Sequence, residues 1–527
     1  MRRSHNILFA FLACALLFVP WLGDTYFYTK GEPREAIVAV SMLQSGDWVL
    51  PVSQGADIPY KPPLLAWCIA VLSALLNGGV VTEFLSRLPS ALAASAMLTA
   101  TFAMVRRHKG TTMAWMTMLV CATMFEVFRA AVACRVDMLL TACMVGGIYA
   151  MYGMPKRPWM ALVAVFLLSG ATLTKGPVGS LLPCLCMGIY KLVERRNFVR
   201  TVLSLTGICL ASFALPALWY YLAWRQGGDA FLDLAFEENI GRLTGTMGYQ
   251  SHVNPWYYNI MSMAGGMLPW TVPLLVSLCF KRVRSTFGQI RHLRGWPLLC
   301  LVCALTVFVF YCFPSSKRAV YLLPCYPFVA YFVAAAVRRI GGTRFMHGWC
   351  YFIGSVAIVA AAVFVGVNLG WIHIKALSPV GAWQWIPALG TALVAGCIFV
   401  SRRARILGAA TAAVLTYLLV AAYLGSYMPM ALNSRSDIGA ARRIDERVPR
   451  GAAIYGVISN DSLLRYYNMN FYLRDRILTA QTVDQVPDTA WLVSPLTDSL
   501  RPVPEVLTRC SADTRGPVLL SPPRKRQ

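Results

Sequence analysis

Two short stretches set a lysine beside the residues that bend a chain: Tyr60-Lys61-Pro62-Pro63 and Thr174-Lys175-Gly176-Pro177. A lysine fixed in a tight turn is a positioned positive charge, suited to an oxyanion such as phosphate. Further cations stand near turns and helix ends at Arg34, Arg135, Arg242, Lys317 and Arg318. Acidic residues number only 23 in 527, so Glu32, Glu35 and Asp137, each close to a basic residue, stand out. Such a set can hold a phosphate as a leaving group and stabilise the charge that develops on it. A carboxylate can then deprotonate an acceptor hydroxyl or steady a cationic, sugar-like transition state. Plainer roles compete with this chemistry. The cations could meet phospholipid headgroups, Asp137 could pair with Arg135, and Asp47 could simply cap a helix.

The elements that must position these residues are apolar. The chain is 57% hydrophobic and only 13% charged, where soluble domains carry about 25% charged residues. The net charge of +25 would suit nucleic acid if it formed one surface. Instead the basic residues recur as short clusters between apolar runs, the pattern of cytoplasmic loops in a polytopic membrane protein. The sixteen cysteines lie mostly inside those runs and read as small apolar packing residues. Thirteen spans are expected at 7–22, 84–105, 113–127, 138–154, 159–173, 178–192, 202–224, 260–280, 296–313, 320–337, 349–371, 385–400 and 407–424. A fourteenth apolar run, 64–76, is too short to cross comfortably. If it crossed, Arg106, Arg107 and Lys109 and every later basic cluster would face outward, so it is read as lying along the outer interface.

With a cytoplasmic N-terminus and thirteen crossings, the tail emerges on the outer side. Residues 1–428 form the membrane domain, with 24–83 as its first outer loop. Residues 429–527 form a small α/β domain, in which 452–458 and 489–494 read as strands around a helical 460–473. The helix-like run after Glu32 carries Pro33, which suits a first helical turn. Lys61, Lys175, Arg34, Arg135, Arg318 and the carboxylates Glu32 and Asp137 all fall on the outer face. A lipid-phosphate substrate fits there, its tail against apolar helices and its phosphate among the cations.

The ordered set G-E-P-R-E-A, S-M-L-Q-S-G-D-W, Y-K-P-P-L, R-V-D-M-L-L-T, L-T-K-G-P, H-V-N-P-W-Y-Y and K-R-A-V-Y-L-L-P resembles the GT-C glycosyltransferases that use polyprenyl-phosphate sugars. The bacterial lipid A aminoarabinose transferases and the protein O-mannosyltransferases are the branches it is most similar to, over about the first 340 residues. The resemblance implies an inner-membrane enzyme that transfers a sugar from undecaprenyl phosphate to a periplasmic acceptor such as lipid A, with inversion. It implies interfacial helices in the first loop, 64–76 among them. It also implies substrate contacts by Lys61 and Tyr321 at the lipid phosphate and by His252, with Tyr60, Lys175, Arg135 and Arg318 near by. The family opens this loop with Asp-Glu, where this chain reads Gly31-Glu32. That leaves Glu32 and Asp137 as the catalytic candidates, with Arg34 to orient Glu32. A metal-associated glutamate of the family corresponds to Tyr60, so no metal or other cofactor is expected. Two other classes remain open: a transporter or flippase of a lipid-linked sugar, which would show midplane charges and repeat symmetry, and a catalytically degenerate lipid-sugar binding subunit.

Overall fold

In a hydrocarbon environment each backbone N–H and C=O must be satisfied within its own segment, so apolar runs of this length become helices. A computed structural model of the chain describes residues 2–59, 61–241, 253–401, 408–458, 465–495 and 501–524. In it the expected spans overlie helices. The first ten are α1 (Arg2–Phe18), α2 (Gly31–Ser45), α3 (Leu64–Asn77), α4 (Glu83–Lys109), α5 (Thr111–Ala122), α6 (Phe125–Ala131), α7 (Val136–Gly153), α8 (Met160–Lys175), α9 (Val178–Val193) and α10 (Phe198–Phe236). Among the described residues seven helices are long and apolar enough to cross a membrane, or ten if each of three bent pairs is one crossing. His5–Trp21, Met160–Lys175 and Val178–Val193, also expected to cross, are shorter apolar helices.

The run at 64–76 forms α3, which is only 14 residues long and ends at Gly78 in the left-handed region. Its Leu65, Ala66, Ile69 and Ala70 join Ala36, Ala39, Val40 and Met42 of α2 in one buried cluster. Leu75 and Leu76 on its other side are exposed. Two short helices packed face to face thus form a shelf at one end of the bundle. The helix at Glu32 begins at Gly31 and carries Pro33 in its first turn, where the missing N–H costs nothing.

A five-stranded sheet follows the last apolar helix. Its order is β2-β1-β3-β5-β4, with β1 Ile454–Gly456, β2 Ile477–Thr479, β3 Trp491–Ser494, β4 Glu505–Thr508 and β5 Val518–Ser521. The first three strands are parallel, whereas β5 runs antiparallel to β3 and β4. The helix expected across 460–473 is confined to Tyr467–Tyr472; residues 459–464 lie outside the described ones.

This domain is bonded directly to the first loop. The Phe27 N–H donates to Tyr472 Oη at 2.9 Å, and Asn468 Nδ2 donates to the Phe27 carbonyl at 2.9 Å. Asn433 accepts from the Tyr26 N–H at 2.8 Å and donates to the Asp24 carbonyl at 3.0 Å. Asp475 accepts from Ser41 Oγ and the Gln54 N–H, each at 2.9 Å. The soluble domain is therefore held against the α2–α3 shelf as its roof.

Candidate active site

Between shelf and roof lies a cavity of about 760 Å³. Its charged lining comes from segments far apart in sequence. Lys30, Arg34 and Lys61 come from the first loop, Arg135 and Asp137 from the start of α7, and Lys175 from the end of α8. Arg318 and Tyr321 come from the start of the helical segment Ala319–Arg339, and Arg435 and Arg515 from the roof. Among the described residues, eight cations thus line the space beside one carboxylate.

Local sequence explains how the two lysines are aimed. Gly176 takes φ +86°, a left-handed conformation that ends α8 directly after Lys175. Lys175 Nζ then reaches Asp137 Oδ1 at 2.5 Å and lies 4.3 Å from the centre of the Tyr321 ring, a cation–π contact. Lys61 pairs with Glu35, which also accepts from Arg34 Nη2 at 3.2 Å. Burial pushes the Glu35 carboxyl up, and Lys61 and Arg34 more than reverse it, leaving it below the usual range. Burial brings the Lys61 ammonium down to about 8 despite Glu35. Both remain charged at neutral pH.

Glu32 does not line the cavity. It is buried, its Oε1 accepts from Arg87 Nε at 2.8 Å and from the Cys134 N–H at 2.9 Å, and its Oε2 accepts from Arg87 Nη2 at 3.2 Å. Arg87 also donates to the carbonyls of Leu22 and Thr25. This network ties α4 to the first loop and commits both Glu32 oxygens to Arg87. Glu32, expected as a catalytic group, thus lies in a buried pair with Arg87 and outside the cavity lining. Arg34 is corrected too, since it pairs with Glu35 and not Glu32. Asp137 pairs with Lys175 and not with Arg135. Asp47 bonds the N–H groups of Val49 and Leu50 in the loop after α2, so it caps a turn, not a helix.

Gly31 explains the position of Arg135. A Cβ at residue 31 would stand 1.9 Å from Arg135 Nη2 and 2.5 Å from its Cζ. The guanidinium therefore occupies the place a side chain at 31 would take, and any larger residue there would have to displace it. Lys317 lies apart from the cavity, buried, with its Nζ on the Asn254 carbonyl at 3.3 Å. Tyr60, Arg242 and His252 lie outside the described residues. The next residue, Val253, bridges to Ser316, two residues before Arg318. Sequence reading missed Lys30, Arg87, Arg435 and Arg515. The last two belong to a domain whose docking leaves no periodic signal.

A second cavity of about 1,100 Å³ adjoins the first, and Lys30, Gly31, Arg34, Lys61 and Val136 line both. Its other walls are largely apolar, including Val38, Met42, Ile58, Leu65, Trp219 and Leu234. A charged chamber opening into a greasy one, at one end of a helical bundle and under a small α/β roof, fits the GT-C fold that the resemblance of the sequence implies.

Comparison with known proteins agrees. Residues 60–220 match the family model described as dolichyl-phosphate-mannose-protein mannosyltransferase. An uncharacterised protein of Aquifex aeolicus is 28% identical over 333 residues, covering 62% of this chain and 71% of that one. The undecaprenyl phosphate-alpha-4-amino-4-deoxy-L-arabinose arabinosyl transferase of Shewanella sediminis is 24% identical over 412 residues, covering 71% of this chain and 68% of that one. The crystal structure of ArnT from Cupriavidus metallidurans bound to undecaprenyl phosphate superposes with a TM-score of 0.72 at 21% identity, over 99% of this chain and 98% of that one. The chain has the GT-C fold, and its resemblance to the aminoarabinose and O-mannosyl transferases of that class stands.

Proposed function

We propose that this protein is an inner-membrane glycosyltransferase that moves a sugar from a polyprenyl phosphate, undecaprenyl phosphate in the first instance, to an acceptor at the periplasmic face. Lipid A or a related lipopolysaccharide component is the acceptor that the resemblance of the sequence motifs implies. The observation that carries the reading is the junction of the two cavities at Lys61. A phosphate held by Lys61, Lys175, Arg318 and Tyr321 would leave its polyprenyl chain free to enter the apolar chamber. The thirteen-span topology, with a cytoplasmic N-terminus and a periplasmic soluble domain, goes with this reading.

The chemistry follows from the charges. The acceptor oxygen attacks the anomeric carbon, the bond from that carbon to the phosphate oxygen breaks, and its electron pair passes to the phosphate. A single in-line displacement inverts the centre. The cations stabilise the charge that grows on the leaving phosphate, and they are already oriented before reaction, so little reorganisation opposes the step. Asp137, the lining carboxylate, can take the proton of a hydroxyl acceptor or steady positive charge on the sugar ring. Its pairing with Lys175 keeps it ionised for either task.

One observation favours a second reading, a lipid-sugar binding subunit without catalysis. Where the family carries an aspartate, this chain has Gly31 with the Arg135 guanidinium in its side-chain space. Mass spectrometry of the polyprenyl-phosphate pool separates the two. In cells lacking the gene, one sugar-loaded species should accumulate, and wild type should clear it while Lys61→Ala and Asp137→Asn do not. Clearance by Asp137→Asn alone would remove the carboxylate from the mechanism, and an unchanged pool would contradict transfer.

A further inference from the structure

One donor phosphate does not account for the cations around the 760 Å³ cavity. Lys61, Arg34 and Lys175 are each paired with a carboxylate. Lys30, Arg135, Arg318, Arg435 and Arg515 make no ion pair through their side chains among the described residues. Of these five, Arg135 and Arg318 stand in the membrane domain with the donor-binding set. The others meet at the seam between first loop and roof. Burial lowers the Lys30 pKa, the Asp513 carboxylate opposes that shift, and Arg515 adds to it. With only the Asp513 carboxylate near by, three cations lining one seam favour a further anion between them.

The roof is built to hold its share in place. Asp437 accepts from Ser511 Oγ at 2.7 Å and from the Ala512 N–H at 2.9 Å. Asp513 is buried and accepts from the N–H groups of Asn468 and Met469 at 2.9 and 3.3 Å. The same Asn468 is bonded to Phe27 in the first loop. The turn ends with Arg515 at φ +60°, its N–H on the Ser511 carbonyl at 2.9 Å. Arg435 follows Asn433, whose side chain is bonded to residues 24 and 26. Both arginines are exposed to the cavity mouth, on short segments fixed at their bases.

We propose that Lys30, Arg435 and Arg515 form a second anion subsite, distinct from the donor phosphate site, that takes a phosphate group of the acceptor. The inference rests on the transferase reading, and it makes the soluble domain a substrate-binding part of the enzyme. An acceptor phosphate seated there faces the donor site across one cavity. Arginine suits the role because its planar donors match a phosphate bidentately.

The test is binding of lipid A to the purified full chain in nanodiscs of phosphatidylethanolamine, read by native mass spectrometry. The variant is Arg435→Ala combined with Arg515→Asn, asparagine being tolerant of positive φ. Affinity for bis-phosphorylated lipid A should fall about tenfold or more, that for dephosphorylated lipid A should stay unchanged, and Arg435→Lys should restore part of the loss. Undecaprenyl phosphate binding should survive in the double variant and fail in Lys61→Ala. Equal loss for both forms of lipid A, no loss for either, or equal competition by phosphatidylglycerol, which would mark an ordinary headgroup contact, would each overturn the subsite. Failure of the wild type to bind undecaprenyl phosphate would instead count against the transferase reading, and the lipid A comparison would still judge the subsite.

Discussion

Both ends of the helical bundle are rich in lysine and arginine, yet they are put together differently. At the end away from the cavity, Arg107, Lys109, Lys156, Arg157, Arg195 and Arg196 are all exposed. They surround an aromatic cluster in which His108 stacks on Trp296 at 5.6 Å and Tyr152 packs against Tyr190. At the cavity end the cations of the membrane domain are half-buried or buried, drawn from distant segments, and interleaved with Glu32, Glu35 and Asp137. Exposed charges satisfy themselves with water and need only a sign, which suffices to orient a membrane protein. Enclosed charges must be given partners one by one, and that is how a site differs from a topological signal.

The sharpest way to break the contrast is to unpair a charge at each end. Arg87→Met leaves Glu32 buried without its partner, which costs about 3–5 kcal/mol. The variant should unfold at markedly lower temperature in detergent, as read by a thiol-reactive fluorescence melt. The soluble roof should respond to pH in its own way. Burial raises Asp513 to about 7 and Asp475 to about 6. These acids hold protons in the folded domain where the unfolded chain has released them. Stability should therefore rise as pH falls from about 8 to 5, by on the order of 2–4 kcal/mol. Melting temperatures of the full chain across that range, with Asp513→Asn flattening the profile, check the sign.

How much of this was legible in the sequence divides along the same line. Helices were readable because apolar runs are long and local, and α3 was singled out because its length and the charge clusters conflict with crossing. Lys61, Arg135, Asp137, Lys175, Arg318 and Tyr321 all stand out in the sequence by type and position, and the fold brings them to one cavity. Partnerships were not readable. Glu32 looked available because Arg87 lies 55 positions away, and Asp137 looked paired to Arg135 because the two are neighbours in sequence. Side chains two apart at a helix start point in different directions, and Gly31, which gives Arg135 its place, gave no sign of what it admits. Arg435 and Arg515 were hidden because a docked domain meets the site through turns.

Smaller effects sharpen the comparison further. With Lys61 titrating at about 8, its cation is lost as pH rises through that value. Undecaprenyl phosphate affinity should drop roughly tenfold between pH 7 and 9, and Lys61→Arg, which keeps its charge, should flatten the fall. At the opposite end, Arg107→Ala and Lys156→Ala should change stability by no more than about 0.5 kcal/mol and leave lipid binding untouched.

The most direct measurement sets the two ends side by side: native mass spectrometry of undecaprenyl phosphate bound to the purified wild type, Lys61→Ala and Arg107→Ala in the same detergent. Binding should be retained in wild type and Arg107→Ala and lost in Lys61→Ala. Equal binding by all three, or equal loss in both variants, would contradict a lipid-phosphate site at the cavity end.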